Sequence, residues 1–273
     1  MNNMMQRAIT GFFFIGIIIS CVLYNVWSFG ILLALINLLC IWEYLGITVK
    51  ENKKLHQISG IITGSLFYVC FVLNIIKYAS FEILFIPVIL IFCVLIFKLF
   101  TKETNPFEGF GQILVSMVYI TVPMVLLFKL SFTAYNYFSL IPLLIFISIW
   151  SNDTFAYLTG KAFGRNKLFE RISPGKTWEG FFGGIICNIL IFNLFSYFFL
   201  SPKSGYEITP WLIILPIIIS VTGTLGDLIE SMLKRSYGIK DSGNMLPGHG
   251  GFLDRFDALL FLIPFVYVYM QIS

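Results

Sequence analysis

Long apolar runs, separated by short polar stretches, recur along the whole chain. Each run holds about 20 residues, which as a helix is long enough to cross roughly 30 Å of hydrocarbon. The runs lack the period-2 alternation of barrel strands, and a backbone in lipid must satisfy its own hydrogen bonds, so helices are favoured. The pattern predicts an all-α, polytopic integral membrane protein with about nine transmembrane helices, near residues 8–24, 28–49, 58–76, 82–101, 110–131, 137–158, 181–200, 209–229 and 255–271.

Composition agrees with a lipid environment. Of 273 residues, 58% are hydrophobic and 12% are charged, whereas a soluble domain carries about a quarter charged residues. The first span, with Arg7 ahead of it and Ser20-Cys21 near its end, could be a cleaved signal peptide, but the many later spans favour an uncleaved helix. All five cysteines lie in apolar runs without a C-x-x-C pair, which indicates neither a disulfide framework nor a zinc site.

The basic residues predict an orientation. Of the 18 lysines and arginines, three fall on one side of the alternating connections (Lys77, Lys129 and Lys203), and the other 15 fall on the opposite side. Cytoplasmic loops carry the excess of Lys and Arg, so the amino terminus is predicted inside and the carboxyl terminus outside. All candidate motifs then face the cytoplasm.

Little chemistry is visible before residue 105. Glu43 is a functional candidate as an intramembrane carboxylate. Its neighbours Trp42 and Tyr44 at a predicted interface favour an anchoring role instead. We expect a membrane-helix scaffold in residues 1–104 and a catalytic half in residues 105–273, with the boundary in the polar stretch 101–110.

The segment 231–257 is the longest markedly polar stretch of the chain. It mixes carboxylates, which favour a divalent metal, with cations, which favour phosphate. The glycines of Pro247–Gly251 let the backbone approach a ligand closely. This mixture predicts a phosphate-handling active site at the membrane surface.

A second group of polar positions lies on one helical face. Asp153, Tyr157, Gly160 and Gly164 stand at i, i+4, i+7 and i+11. Close packing against a neighbouring helix explains the glycines as well as function does. Asp153 is more readily explained as a functional carboxylate.

The sequence Ser173-Pro174-Gly175-Lys176-Thr177 precedes an apolar run. Ser173 is predicted as an N-cap with Pro174 at the first helical position, and a helix amino terminus binds anions. Lys176 in a first turn opposes the helix dipole unless a phosphate is bound there. An ordinary interfacial lysine is the alternative.

Farther along, Asp227, Ser231, Lys234 and Arg235 share a helical face, while Glu230 is expected to point elsewhere. Asp254 and Asp257 open the last span, where capping would explain one of them. Three carboxylates from two adjacent helices are the arrangement that a hard divalent cation requires. For His249, phosphate binding, proton donation and turn capping all remain open.

At these residues the chain resembles the phosphatidate cytidylyltransferase family, also called the CDP-diglyceride synthase family. The family's carboxy-terminal signature is matched at many polar positions with fixed spacing, namely Ser231, Lys234-Arg235, Lys240-Asp241, Pro247, His249-Gly250-Gly251, Asp254-Arg255 and Asp257. The stretches 153–160 and 173–180 resemble the family's as well. Earlier residues resemble it by hydropathy only.

The resemblance implies transfer of cytidylate from CTP to phosphatidic acid, which gives CDP-diacylglycerol and pyrophosphate at the start of phospholipid synthesis. It implies a divalent metal, usually Mg²⁺, with a monovalent cation such as K⁺ beside it, and members that dimerise. Asp227 and Asp254 are then metal ligands, with Asp257 close by, and Asp153 is a further catalytic candidate. Candidates for phosphate or substrate binding are Ser173, Lys176, Thr177, Ser231, Lys234, Arg235, Lys240, His249, Gly250, Gly251 and Arg255.

The residues themselves are consistent with this chemistry. A phosphate monoester with a second pKa near 6 is largely deprotonated at pH 7, so the reaction needs no strong general base. Another CTP-dependent lipid cytidylyltransferase or a polyprenol kinase remains open, because the sequence does not name the acceptor. A secondary transporter should gather its polar residues near the bilayer midplane, and here they cluster at one face. We expect a multi-pass protein of the cell membrane whose partners are CTP, phosphatidic acid and the bilayer, not nucleic acid.

Overall fold

The computed structural model describes residues 3–133, 136–200, 211–245 and 250–272. Within them nine helices follow one another: α1 (Asn3–Tyr24), α2 (Val26–Thr48), α3 (Lys53–Ile75), α4 (Phe81–Phe100), α5 (Pro106–Leu130), α6 (Leu140–Phe163), α7 (Trp178–Leu200), α8 (Trp211–Ser236) and α9 (Leu253–Ile272). Two antiparallel hairpins join helices: β1 (Phe132–Thr133) pairs with β2 (Asn136–Tyr137), and β3 (Lys167–Phe169) pairs with β4 (Ser173–Thr177). Every predicted span corresponds to a helix, and the predicted all-α class is confirmed.

Length and apolarity identify the helices that cross the bilayer. In the described part of the chain, α2 to α9 are each long and apolar enough to span it, and α1 adds the apolar stretch Thr10–Tyr24. Helix α4 has a mean hydropathy of 3.0, and its apolar side chains, such as Phe92, are largely exposed. A helix that is hydrophobic on all sides without being buried has lipid as its solvent. The chain is a multi-pass membrane protein.

The chain divides into two compact units. Unit 1 comprises Met1–Tyr137 and Asp241–Arg255, and unit 2 comprises Phe138–Lys240 and Phe256–Ser273. The stretch Asp241–Arg255 therefore belongs to unit 1, although the helices on either side of it, α8 and α9, lie mainly in unit 2. The predicted functional division at residue 104 concerns where the chemistry lies, and it stays a prediction.

Aromatic packing fixes the helices of unit 1. The ring of Phe29 on α2 stacks on that of Phe128 on α5, with centroids 6.3 Å apart, and both side chains are buried. The Tyr68 hydroxyl on α3 donates to the Gly30 carbonyl at 2.9 Å, which satisfies a phenol buried among apolar groups. These contacts hold α2, which carries Glu43 near its carboxyl end.

In unit 2, small residues let α6 and α7 approach closely. A Cβ atom at Gly180 would lie 2.6 Å from the Ala156 carbonyl oxygen, so a larger residue would push the helices apart. At Gly160, a Cβ would lie 3.1 Å from Thr177 Oγ1. The glycine spacing seen in the sequence is thus used for packing.

The predicted helix start at Ser173 and Pro174 is wrong. Residues Ser173–Thr177 form strand β4, and α7 begins at Trp178 with Thr177 as its N-cap, whose Oγ1 accepts from the Gly180 N–H at 3.2 Å. Pairing with β3 supplies backbone hydrogen bonds that a helix would otherwise have provided. Lys176 consequently lies on a strand, and its predicted conflict with a helix dipole does not arise.

Helix α8 contains Pro216, which cannot donate a backbone hydrogen bond to the carbonyl one turn earlier. Asn193 on α7 compensates, because its Nδ2 donates to that carbonyl, at Leu212, at 3.0 Å. Asn188, one α7 turn earlier, donates from Nδ2 to the Pro216 carbonyl at 3.2 Å and to Ser220 Oγ at 2.8 Å. A proline inside a membrane helix is thereby supported by amides from its neighbour.

Asn188 also binds α6. Its Oδ1 accepts from Ser148 Oγ at 2.8 Å and from Ser151 Oγ at 2.9 Å, and the asparagine is fully buried. One side chain therefore satisfies polar groups on two other helices at the centre of unit 2.

We expect Asn188→Leu to destabilise the protein by about 2 kcal/mol, because each of the four lost interhelical hydrogen bonds contributes about 0.6 kcal/mol in a membrane. The midpoint of thermal unfolding in detergent should fall by about 5 °C. Asn193→Leu loses one interhelical bond and should have a clearly smaller effect. Equal midpoints for wild type and Asn188→Leu would contradict this role of the network.

Candidate active site

A cavity of about 470 Å³ lies in unit 2 and is lined by five of the catalytic and substrate-binding candidates predicted from the sequence. Its walls come from α6, from β3 and β4, from the start of α7 and from α8. The predicted residues that line it are Asp153, Ser173, Lys176, Thr177 and Asp227, and Tyr157 and Lys161 line it as well. The polar face predicted on α6 therefore faces the same cavity as the segment around Lys176.

Three carboxylates meet beside this cavity. Asp227 and Glu230 on α8 and Asp257 on α9 each offer an oxygen atom, and these atoms lie within 4.8 Å of one another. Glu230 is fully buried and Asp257 nearly so, while the side chain of Asp227 is partly exposed. Such like charges repel strongly at low dielectric unless cations compensate them.

Two lysines provide part of that compensation. Lys176 on β4 forms an ion pair with Asp227, and Lys234 on α8 forms one with Glu230. The expectation that Glu230 points elsewhere is wrong, because it joins Asp227 and Asp257 and pairs with Lys234. Lys176 pairs with Asp227 of the carboxylate cluster, and it also lines the cavity. Its ammonium group can therefore contact a phosphate that binds beside the cluster or in the cavity.

The carboxylate cluster fits a hard divalent cation. Its donors are all oxygens, which Mg²⁺ and Ca²⁺ prefer, and they come from two different helices. Two of the three donors, Asp227 and Asp257, are metal ligands predicted from the sequence, and Glu230 is the residue that sequence reasoning missed.

The other predicted residues of unit 2 lie around this centre. Ser231 Oγ is 3.5 Å from Asp227 Oδ1, and Thr177 acts as the N-cap of α7. Arg235 is exposed at the end of α8, where its guanidinium donates to the Ile239 carbonyl at 3.2 Å. Lys240 is exposed just beyond the helix.

Asp254, the third predicted metal ligand, is held in a different set of contacts within unit 1. Its Oδ2 accepts hydrogen bonds from the Ser242 backbone N–H at 2.9 Å, from Ser242 Oγ at 3.0 Å and from the Gly251 N–H at 2.8 Å. The carboxylate thus caps the backbone of the segment that precedes α9. Among the described residues, Asp254 does not belong to the group of three carboxylates formed by Asp227, Glu230 and Asp257.

Glu43 is bound to this same segment. It is buried, and its Oε2 accepts from the Leu253 N–H at 2.9 Å and from Ser242 Oγ at 3.0 Å. The anchoring role that its aromatic neighbours favoured does not describe these contacts. Glu43 ties the start of α9 to α2.

Glycines let the backbone pass close to Asp254. Gly250 has a φ of +81°, a conformation that favours glycine, and a Cβ there would lie 2.8 Å from Asp254 Oδ2. Gly251 is buried and donates its N–H to the same oxygen. Arg255, next to Asp254, is exposed. His249 lies outside the described residues.

Unit 1 holds a further buried cluster that the sequence did not reveal. Lys98 Nζ lies 2.9 and 2.8 Å from the two Glu103 oxygens and 2.5 Å from His56 Nε2. Burial alone would raise the pKa of Glu103, but hydrogen bonds from Lys98 and Asn52 and the nearby positive charges hold that pKa below its usual range. These three side chains hold the connection between α4 and α5 against α3, which is a structural role.

Comparison with known proteins decides the family. The model of the "Cytidylyltransferase family" matches residues 5–273, nearly the whole chain. The chain belongs to the cytidylyltransferase family. A relative from Bacillus subtilis, named phosphatidate cytidylyltransferase, is 34% identical over 282 residues, which cover 98% of this chain and 97% of the relative.

Staphylococcal relatives of this cytidylyltransferase family member are also named phosphatidate cytidylyltransferase. The protein of Staphylococcus epidermidis is 39% identical, and that of Staphylococcus aureus is 37% identical, each over 174 residues that cover 63% of this chain and 64% of the relative. The family that the motifs resembled is therefore confirmed.

Proposed function

We propose that this protein is a phosphatidate cytidylyltransferase, which transfers cytidylate from CTP to phosphatidic acid and releases pyrophosphate. The observation that carries the proposal is the cavity of unit 2, where Lys176 joins a cluster of three carboxylates in a chain of the cytidylyltransferase family. The names of the relatives support the choice of phosphatidate as acceptor.

The bond changes need few groups from the protein. A phosphate oxygen of phosphatidate attacks the α-phosphorus of CTP, and the bond from that phosphorus to the bridging oxygen breaks, so that pyrophosphate leaves with the electron pair. Because the attacking monoester is already largely deprotonated at pH 7, no strong general base is required. Positioning and charge compensation are the main tasks of the site in such a phosphoryl-type transfer.

Lys176 and Lys161 supply positive charge on the wall of the cavity, where phosphate oxygens would bind. Asp153, an exposed carboxylate on the same wall, is proposed as a further catalytic group. Lys234 compensates Glu230 within the carboxylate cluster. The phosphate-binding roles of Ser173, Thr177, Ser231, Arg235, Lys240, Gly250, Gly251, Arg255 and His249 stay predictions from the sequence.

Asp227, Glu230 and Asp257 are the residues that would hold Mg²⁺. When bound, Mg²⁺ supplies Lewis-acid neutralisation of the phosphate charge. Asp254 as an additional ligand stays a prediction, as does a monovalent ion such as K⁺.

We further propose that the protein resides in the cell membrane with its amino terminus in the cytoplasm and its carboxyl terminus outside. The proposal rests on the asymmetry of lysine and arginine between alternate connections. Placing the active site on the cytoplasmic side gives CTP access to it. A homodimer is proposed from the family resemblance alone.

Purified protein in mixed micelles is expected to release pyrophosphate only when CTP, Mg²⁺ and phosphatidic acid are all present. Omitting each in turn should abolish release, and CDP-diacylglycerol should appear in equal amount. A polyprenol kinase would instead release CDP, which chromatography distinguishes from pyrophosphate. Another lipid cytidylyltransferase would release pyrophosphate with a different lipid acceptor and not with phosphatidic acid. Either result would overturn the proposal.

A further inference from the structure

The connection between α6 and α7 is a β-hairpin. We call residues 164–177, which include β3, β4 and the turn at 170–172, the basic hairpin. Both flanking helices are long and apolar enough to span the bilayer, so the hairpin must lie at the membrane surface.

The basic hairpin borders the cavity of unit 2. On β3, Leu168 lines the cavity, while Lys167 and Phe169 are exposed. Their partners on β4, Thr177 and Ser173, line the cavity as well, and so does Lys176. The hairpin is thus a wall of the candidate active site, and its exposed side chains lie beside that cavity.

Backbone contacts hold the hairpin in place. The Glu179 carboxylate on α7 accepts from the Arg165 N–H at 3.1 Å and from the Asn166 N–H at 3.2 Å. The Asn166 carbonyl accepts from the Trp178 N–H at 3.0 Å. The Glu179 carboxylate accepts hydrogen bonds from the backbone and does not form an ion pair with the Arg165 guanidinium. The Arg165 side chain is therefore available for other partners.

The exposed side chains of the basic hairpin and of the adjoining end of α6 combine positive charge with aromatic rings. Arg165, Lys167 and Arg171 are exposed, and none of them forms an ion pair with any carboxylate in the described ranges. Phe163, at the end of α6, and Phe169 are 71% and 49% exposed. A topology signal requires only the cations.

We propose that the exposed cations of the basic hairpin dock the anionic headgroup of the lipid acceptor, a phosphate monoester, at the rim of the cavity. This inference rests on the proposed function. A monoester carries between one and two negative charges near neutral pH, and arginine binds phosphate oxygens in a bidentate manner. The exposed phenylalanines favour a lipid, since their rings can enter the headgroup region, whereas a soluble nucleotide would leave them in water.

The test is the triple variant Arg165→Gln/Lys167→Gln/Arg171→Gln, which changes none of the residues placed in the catalytic or metal-binding machinery. Binding of short-chain phosphatidic acid without CTP is measured by calorimetry in a neutral detergent, and turnover is measured at varied surface fraction of the lipid. We expect lipid affinity to fall about tenfold or more, because each cation near an anionic surface contributes about a fivefold factor. The KM for CTP and kcat should change less than about twofold.

The matched control is Lys50→Gln/Lys53→Gln/Lys54→Gln, which removes three exposed cations from another connection predicted to lie on the same side. It should leave lipid affinity unchanged. If the control lowers lipid affinity as much as the hairpin variant does, net charge explains the effect and the proposal is overturned. An unchanged lipid affinity in the hairpin variant, or a selective rise in the KM for CTP, also overturns it.

Two further comparisons complete the test. The variant Arg165→Lys/Arg171→Lys keeps every charge and should retain most of the lipid affinity, so a misfolded triple variant can be recognised. Should the triple variant not be obtained, Arg171→Gln alone should weaken lipid binding about fivefold. If wild-type protein binds phosphatidic acid through these cations but shows no turnover, the proposed function is contradicted and this inference still holds.

Discussion

Asp257→Asn is expected to lower kcat by about a thousandfold, which corresponds to about 4 kcal/mol of transition-state stabilisation. The loss follows because Asp257 is one of three carboxylates whose oxygens lie within 4.8 Å of one another and fit a divalent cation. Pyrophosphate release with CTP, Mg²⁺ and phosphatidic acid measures the effect.

The same variant is expected to be more stable than wild type without divalent metal. Three buried or half-buried carboxylates face two lysines in the cluster, so removing one negative charge relieves repulsion. Asparagine keeps the oxygen that accepts the Ala258 N–H at 2.7 Å. We expect a rise in the thermal midpoint of about 3 °C, for a gain of about 1 kcal/mol.

Mg²⁺ should reverse the order of stabilities. A ligand that binds only the folded state stabilises it by about 2.7 kcal/mol at 100 times its dissociation constant, so the wild-type midpoint should rise with added Mg²⁺. The midpoint of Asp257→Asn should scarcely respond. Glu170→Gln, an exposed carboxylate change in unit 2, is the control and should match wild type in both assays. An active Asp257→Asn whose midpoint still rises with Mg²⁺ would remove the cluster as the metal site.

The succession of helices was predictable because the bilayer sets it. A backbone in lipid must form helices of about 20 residues, so apolar length alone places them. The strand at Ser173–Thr177 was not predictable in this way, because Ser-Pro before an apolar run has the same letters as a helix start. Its partner, Lys167–Phe169, is only three residues long and lacks a pattern of its own.

Two of the three carboxylates of the cluster are predictable from the sequence. Asp227 and Asp257 stand in recognisable motifs, whereas a helical face defined by Asp227 and Ser231, at i+4, predicts another direction for Glu230. At about 100° per residue, Glu230 lies about 60° to one side of Asp227 and Ser231 about 40° to the other. Both positions are therefore near Asp227, so an i, i+3 pair of acids predicts a shared site as well as an i, i+4 pair does.

Glu43 could not have been assigned from its surroundings in the sequence. Its two hydrogen-bond partners, Ser242 and Leu253, are 199 and 210 positions away along the chain. Local letters show only an acid between two aromatic residues, which is typical of an interface. Only the folding of unit 1 brings the end of α2 to the segment before α9.

Glu43→Ala is expected to lower kcat by about a hundredfold, the upper end of the range for residues that orient a site through others. The substitution leaves the Leu253 N–H without its acceptor, at about 1–3 kcal/mol, and removes one of the two carboxylates that the Ser242 hydroxyl contacts. Ser242 in turn donates twice to Asp254, so the start of α9 should loosen. Hydrogen exchange at the Gly251 and Leu253 amides should become faster.

Glu43→Gln separates a positioning role from a simple anchor. Glutamine keeps one oxygen for both donors, but it places an amide where Glu43 Oε1 accepts no hydrogen bond from the described residues, so we expect about a tenfold loss of kcat with little change in KM. Glu108→Gln alters an exposed carboxylate of unit 1 and should behave as wild type. An interfacial anchor would change neither kcat nor amide exchange in Glu43→Gln. Wild-type values of both in Glu43→Ala would therefore show that Glu43 does not hold the segment around Asp254.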